Sequence, residues 1–194
     1  MTDTVLLAGF ELIIYYWNKS VQHFTLLQLG HPHLRLTAKT VKQVTSDATQ
    51  QLIDDLLRYV EQVQGMGIAA PQADISQRLF IMSSKPNNRY PYAPLMEPTA
   101  VINPQIISAS TPMVKDWEGC LSVPGFRALV PRHQTVMTRY TDRSGQQVDV
   151  EYSGFLARVF QHELDHLNGL IYLDRVENNR DIVTEQEWLK QIDG

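Results

Sequence analysis

His162-Glu163-Leu164-Asp165-His166 constrains this chain more than any other stretch, because a helix through it turns two imidazoles and a carboxylate to one side. Four residues advance a helix by about 400°, so His162 and His166 stand one above the other. Glu163, about 100° from His162, can reach a water held by the same cation without being a ligand itself. Ser153 suits the cap before this helix, Leu156, Val159, Phe160 and Leu167 recur at helical spacing, and Gly169 supplies a stop. An exposed helix can carry such a pattern by chance, but the apolar stripe argues for burial on the motif side. The expectation is a hydrolytic metal site.

Two histidines leave that site incomplete, and the chain has one cysteine, Cys120, in Trp117-Glu118-Gly119-Cys120-Leu121-Ser122-Val123-Pro124. A lone cysteine is most often a small buried hydrophobe. Here Gly119 permits an unusual backbone angle or a close approach, and Pro124 ends regular pairing, so the segment reads as a bend that can aim one side chain inward. Gln72, after Ala69-Ala70-Pro71, reads on its own as a surface loop residue.

Taken together, three ordered motifs make the chain resemble a peptide deformylase: Gly65-Met66-Gly67-Ile68-Ala69-Ala70-Pro71-Gln72, Glu118-Gly119-Cys120-Leu121-Ser122, and Gln161-His162-Glu163-Leu164-Asp165-His166. The similarity runs from about Thr25 to Val176, including Leu27 to Arg35 and Arg127 to Arg132. It implies removal of the formyl group from the N-terminal formyl-methionine of new polypeptides. By the same resemblance Cys120, His162 and His166 hold one divalent ion, and water at the fourth position attacks the formyl carbon. Glu163 then serves as general base and acid, while the Gln72 amide and the Leu121 backbone N–H stabilise the oxyanion. Small residues at Gly67, Ala69 and Ala70 fit a backbone lying close to an extended substrate.

The methionine side chain needs an apolar cavity. Met66, Phe155 and Val159 are its candidate lining, the last two because they precede His162 by about two turns and one turn; each is equally suited to plain core. Arg127 resembles a family residue that touches the substrate backbone, with solvated surface charge as the alternative. Arg158, one turn before His162, either snorkels outward or pairs with a carboxylate. A mixed sulfur and nitrogen triad suits zinc, iron, cobalt and nickel. The resemblance implies Fe2+ in the cell, with Zn2+ or Ni2+ in purified protein, one ion per chain and no organic cofactor.

Composition sets outer bounds: 194 residues, 43% hydrophobic, fit a single catalytic domain over residues 24–194. With 17 basic and 21 acidic side chains the formal charge is -4, which gives no field for grasping nucleic acid or anionic lipid. One cysteine excludes an internal disulfide framework, and a thiolate ligand favours a reducing cytoplasm. The resemblance implies N-formyl-methionyl nascent peptides as partners, met at the ribosome, and the charge balance implies that neither nucleic acid nor membrane is bound directly. Residues 1–23 form an N-terminal extension whose Val5 to Trp17 run is broken by Glu11, too short for a span and without a basic flank before it. An extra packed element, a partner-binding segment and an upstream start codon are its open readings.

Apolar residues from Val41 to Val63 recur at three- and four-residue steps, predicting an amphipathic helix that ends at Gly65. Leu79 to Met82, Val101 to Asn103, Thr135 to Tyr140 and Gln147 to Tyr152 read as strands, the last two a hairpin around Asp142-Arg143-Ser144-Gly145, and Pro86 to Pro98 reads as a loop. The expected fold class is α+β, antiparallel strands packed around a central metal-binding helix. Two rivals remain. A His-Glu-x-x-His metalloprotease would take its third ligand downstream, where only Glu177, Glu185 and Glu187 offer themselves. A catalytically silent, metal-containing peptide-binding relative would more naturally close its site with four protein ligands.

Overall fold

The computed structural model describes residues 24–192, so the extension over residues 1–23 lies outside the described residues. Five antiparallel strands, β1 (Gly67–Ala69), β2 (Leu79–Ser84), β3 (Met96–Ala109), β6 (Thr135–Thr141) and β7 (Gln147–Ser153), form one sheet in the order β1-β2-β3-β6-β7. A second sheet joins β4 (Met113–Cys120), β5 (Val123–His133) and β8 (Ile182–Thr184) in that order. Among the described residues three α-helices pack on this frame: α1 (Asp47–Gln62), α2 (Gly154–Leu167) and α3 (Glu185–Ile192).

Strand β2 shows why the larger sheet is covered on both faces. Its side chains alternate, Leu79 and Ile81 joining the core around Leu52, Ile53, Leu56 and Val60 of α1, and Phe80 and Met82 joining the core around Phe160 and Leu167 of α2. Phe160 meets Phe80 edge-on at 5.4 Å and stacks on Tyr152 at 5.6 Å. Each such fully buried side chain contributes about 1.5–3 kcal/mol of burial free energy, which fixes the rotation of α2 about its axis. The opposite side of α2 meets the second sheet, so the motif helix sits between two sheets as the α+β reading requires.

Sequence and structure differ in instructive places. Helix α1 begins at Asp47, capped by the Ser46 side chain, rather than at Val41. Val41 instead exchanges both backbone hydrogen bonds with the Asn103 side-chain amide, which pins this stretch outside the helix. Strand β3 is far longer than Val101 to Asn103, because Asn103 adopts positive φ and the register shifts between Ile102 and Gln105 before pairing resumes. The Pro86 to Pro98 segment is a loop only as far as Leu95, after which Met96 already pairs with Ser84. Pro124 does not end pairing but lies inside β5. At the start of α2, Ser153 occupies the cap position without a side-chain cap hydrogen bond.

Candidate active site

Strand β4 delivers Cys120 at its last residue, immediately before the Leu121-Ser122 turn into β5, while α2 carries His162 and His166 on successive turns. The Cys120 sulfur and one nitrogen of each imidazole lie within 4.8 Å of one another. Cys120 Sγ is 3.3 Å from His166 Nε2, and the two rings meet edge to face with centroids 5.1 Å apart. The expected bend thus takes the form of a tight hairpin, and it turns the sulfur inward as the sequence suggested.

His162 is oriented from behind. His162 Nδ1 meets Glu118 Oε2 at 2.8 Å, which leaves its Nε2 for the site. Glu118 is itself clasped by Arg132, through Nε at 2.9 Å and Nη2 at 3.1 Å, and by Arg158 Nη1 at 2.9 Å. Burial pushes the Glu118 carboxyl up, but the Arg132 charge and the hydrogen bonds from His162 and Arg132 outweigh it and hold the group well below the usual carboxylate range. Arg132 Nη1 continues to Asp165 at 2.6 Å, and Asp165 also accepts Arg175 Nη2 at 2.7 Å. Arg158 therefore turns inward to a carboxylate, and its Nη2 also donates to the Val114 carbonyl at 2.6 Å.

Burial alone would raise the Cys120 thiol, yet the His166 charge and hydrogen bonds with both imidazoles bring its pKa down to about 5. That favours thiolate at neutral pH. His162 is opposed by burial in the same way, and the adjoining thiol and Glu118 carry its pKa well above the ordinary imidazole value. Glu163 shows the reverse balance: burial pushes its pKa up to about 7 against the lowering pull of His162 and His166. Its Oε2 is buried without a hydrogen-bond partner among the described residues, so a carboxylate oxygen stands ready beside the three donors. A soft thiolate, two imidazoles and an unclaimed carboxylate oxygen fit a divalent transition ion with an adjacent proton acceptor.

Gly67 fits closely against this carboxylate. A Cβ at position 67 would overlap Glu163 Oε1 and come within 2.7 Å of Glu163 Cδ, so only glycine leaves room. Gln72 sits on the 3-10 turn Ala70–Ala73 and is buried rather than on a surface loop. Its Oε1 accepts the Ala69 N–H at 2.9 Å, while Nε2 lies 3.0 Å from Ser122 Oγ and 3.5 Å from Cys120 Sγ. Because the Ala69 N–H turns away from β2 towards Gln72, the two-residue alternation of a strand sends the N–H and C=O of Gly67 to the same open side of β1.

A cavity of about 230 Å³ opens over these groups. Met66, Gly67, Phe155 and Val159 line it together with Gln72, Cys120, Leu121, His162 and Glu163. His166 lies behind the lining at 1% exposure. Arg127 also lines it, with its guanidinium held by Tyr90 Oη and Glu185 Oε1, each at 2.6 Å, rather than solvated. Sequence reasoning assigned no role to Glu118, Arg132 or Asp165, although two of them stand inside the quoted motifs and are acidic where a surface reading is the default. Tyr90 carried no signal, and Glu185 entered only as a downstream ligand candidate for the metalloprotease rival, since their place beside Arg127 depends on long-range pairing.

The family model described as polypeptide deformylase matches residues 24–181. Peptide deformylase 2 of Nostoc sp. is 53% identical over 167 residues, spanning 86% of this chain and 93% of its own length. Peptide deformylase 2 of Shewanella oneidensis is 47% identical over 141 residues, 73% of this chain and 78% of that protein. Among solved structures, the Met-Ala-Ser-bound class I type b enzyme of Acinetobacter baumannii superposes with a TM-score of 0.77 at 39% identity, covering 79% of this chain and 98% of that one. The Synechococcus elongatus enzyme in complex with actinonin gives a TM-score of 0.72 at 35% identity, over 81% of each chain.

Proposed function

The chain belongs to the peptide deformylase family, metal-dependent hydrolases that remove the formyl group from N-terminal formyl-methionine of polypeptides, and on that premise we propose which of its residues do each part of the work. Cys120, His162 and His166 hold one divalent ion, Fe2+ in the cell, with Zn2+ or Ni2+ able to replace it in purified protein. A cation there polarises the formyl oxygen and lowers the pKa of water towards neutrality. The reading is supported above all by the convergence of the Cys120 sulfur with two imidazole nitrogens within 4.8 Å, beside the unclaimed Glu163 oxygen.

Glu163 accepts the proton shed by the attacking water and returns it to the departing amine, so that formate leaves and the methionine amino group is freed. A buried carboxyl with an unclaimed oxygen beside that water is placed to take and give the proton. Gln72 Nε2 and the Leu121 N–H donate to the oxygen as its charge develops. The extended peptide lies along the open side of Gly67, its methionine side chain enters between Met66, Phe155 and Val159, and Arg127 faces its backbone. A tight acyl site excludes acetyl.

Residues 24–194 act as one catalytic domain in this reading, residues 1–23 as an extension, and nascent chains leaving the ribosome in the cytoplasm as the substrate. Among the described residues no helix is long and apolar enough to cross a membrane.

Nickel-loaded protein is expected to release amine from formyl-Met-Ala and not from acetyl-Met-Ala; equal cleavage of both would overturn the substrate assignment. Cys120→Ser is expected to lose or exchange the ion while circular dichroism keeps the helix signal. Metal content and turnover matching wild type would make Cys120 core filler. Gln72→Ala should turn over roughly 100-fold more slowly with ion occupancy little changed, read by steady-state kinetics beside metal analysis. An unaltered rate would reassign Gln72.

A further inference from the structure

We propose that Glu185, on the C-terminal helix, is a specificity-determining residue that reads the charge of the substrate residues following methionine, favouring basic over acidic side chains. The proposal rests on the reading of the cavity over Glu163 as the substrate cleft. Strand β8 pairs with β5 through Phe126, Arg127 and Ala128 opposite Thr184, Val183 and Ile182, and this register sets the first residue of α3 beside Arg127.

Four groups then fix one guanidinium. Arg127 Nη2 donates to Glu185 Oε1 and Nη1 to Tyr90 Oη, each at 2.6 Å. Its Cζ stands 4.4 Å from the Trp188 ring, and Gly119 leaves so little room that a Cβ there would come within 2.7 Å of the same carbon. The cation is thereby buried at 3% exposure, while the Glu185 side chain keeps 36%, and Glu185 Oε2 makes no hydrogen bond among the described residues. Both residues line the cavity that holds Glu163.

Of the two charges lining the cleft the positive one is buried and the negative one is about one-third exposed, so the charge more open to a passing peptide is that of Glu185. Solvent at the mouth weakens but does not abolish its reach, so a lysine passing it is attracted and an aspartate repelled. Arg89 lines the same cavity and adds positive charge, with Nη2 on the Gln64 carbonyl at 3.2 Å. The decisive quantity is therefore the change in preference when Glu185 alone loses its charge.

The test measures kcat/KM of the nickel-loaded full-length protein on formyl-Met-Ala-Lys, formyl-Met-Ala-Ser and formyl-Met-Ala-Asp amides at low salt. Glu185→Gln should lower the Lys-to-Asp ratio about fivefold to tenfold while the Ser peptide stays within about twofold. Glu187→Gln, which removes the same charge from the exposed side of the same helix, should leave the ratio where it was. A Glu185→Gln protein that loses equally on all three peptides has lost only a scaffold contact, and that result overturns the proposal, as does an unmoved ratio. Wild-type protein inert on every formyl peptide would instead overturn the cleft assignment beneath it.

Discussion

Glu163→Ala is expected to slow hydrolysis of formyl-Met-Ala by about 1,000-fold or more, the range over which a positioned acid-base group acts. Ion content should match wild type, because Glu163 lies beside the three donors without being one of them. The isosteric Glu163→Gln keeps the shape against Gly67 and removes only the ability to take a proton, so it should be as slow as the alanine variant. Steady-state kinetics with metal analysis on the same samples checks both. Activity within a few-fold of wild type in either variant, with the ion retained, would remove Glu163 from the proton path.

Glu118→Ala is expected to act on stability as well as on the ion. Arg132 and Arg158 both point into the buried carboxylate, at 2.9 Å each for their closest contacts, and neither guanidinium has water to fall back on. Breaking such a pair by removing one partner leaves uncompensated buried charge, a loss of about 3–5 kcal/mol in unfolding free energy. His162 also loses the acceptor on Nδ1, so affinity for the ion should fall about 10- to 100-fold. Urea unfolding of metal-free protein isolates the first effect, and competition with a chelator the second. A metal-free loss below about 1 kcal/mol would mean that the partners the arginines already have, Asp165 for Arg132 and the Val130 and Val114 carbonyls for Arg158, suffice without Glu118.

How far these features could be read from the amino-acid order depends on which physical rule shaped each element. Helix α2 obeys a single rule, apolar spacing beneath a two-histidine face closed by Gly169, and was legible almost to the residue. The β6–β7 hairpin was equally plain, since Val136, Thr138 and Tyr140 alternate inward and Asp142 caps its own turn through the Ser144 and Gln146 N–H groups. The β4–β5 pair was not legible, because Glu118, Arg127 and Arg132 are buried there as partners of one another and of distant residues. Period-two reasoning assigns charges to the solvent face, and only long-range pairing reverses it.

Pro131 adds to that concealment. It stands opposite Lys115 on β5 beyond the reach of β8, where the missing N–H costs no ladder bond. Within the site, residue types that ligate metal announced themselves, and those that act through another residue did not. Arg158 is the clearest case: a guanidinium one turn before His162 looks the same in a sequence whether it faces water or Glu118.

The unpaired side of β1 has a consequence for breadth of use. An edge strand offers amide hydrogens and carbonyl oxygens, which nearly every amino acid can answer with its own main chain, so a guest held there is recognised for being a peptide rather than for its wording. Strong selectivity is then concentrated at the first residue and its acyl cap, with the charge of later residues grading the rate rather than deciding entry, and one protein can serve a whole proteome of unrelated beginnings.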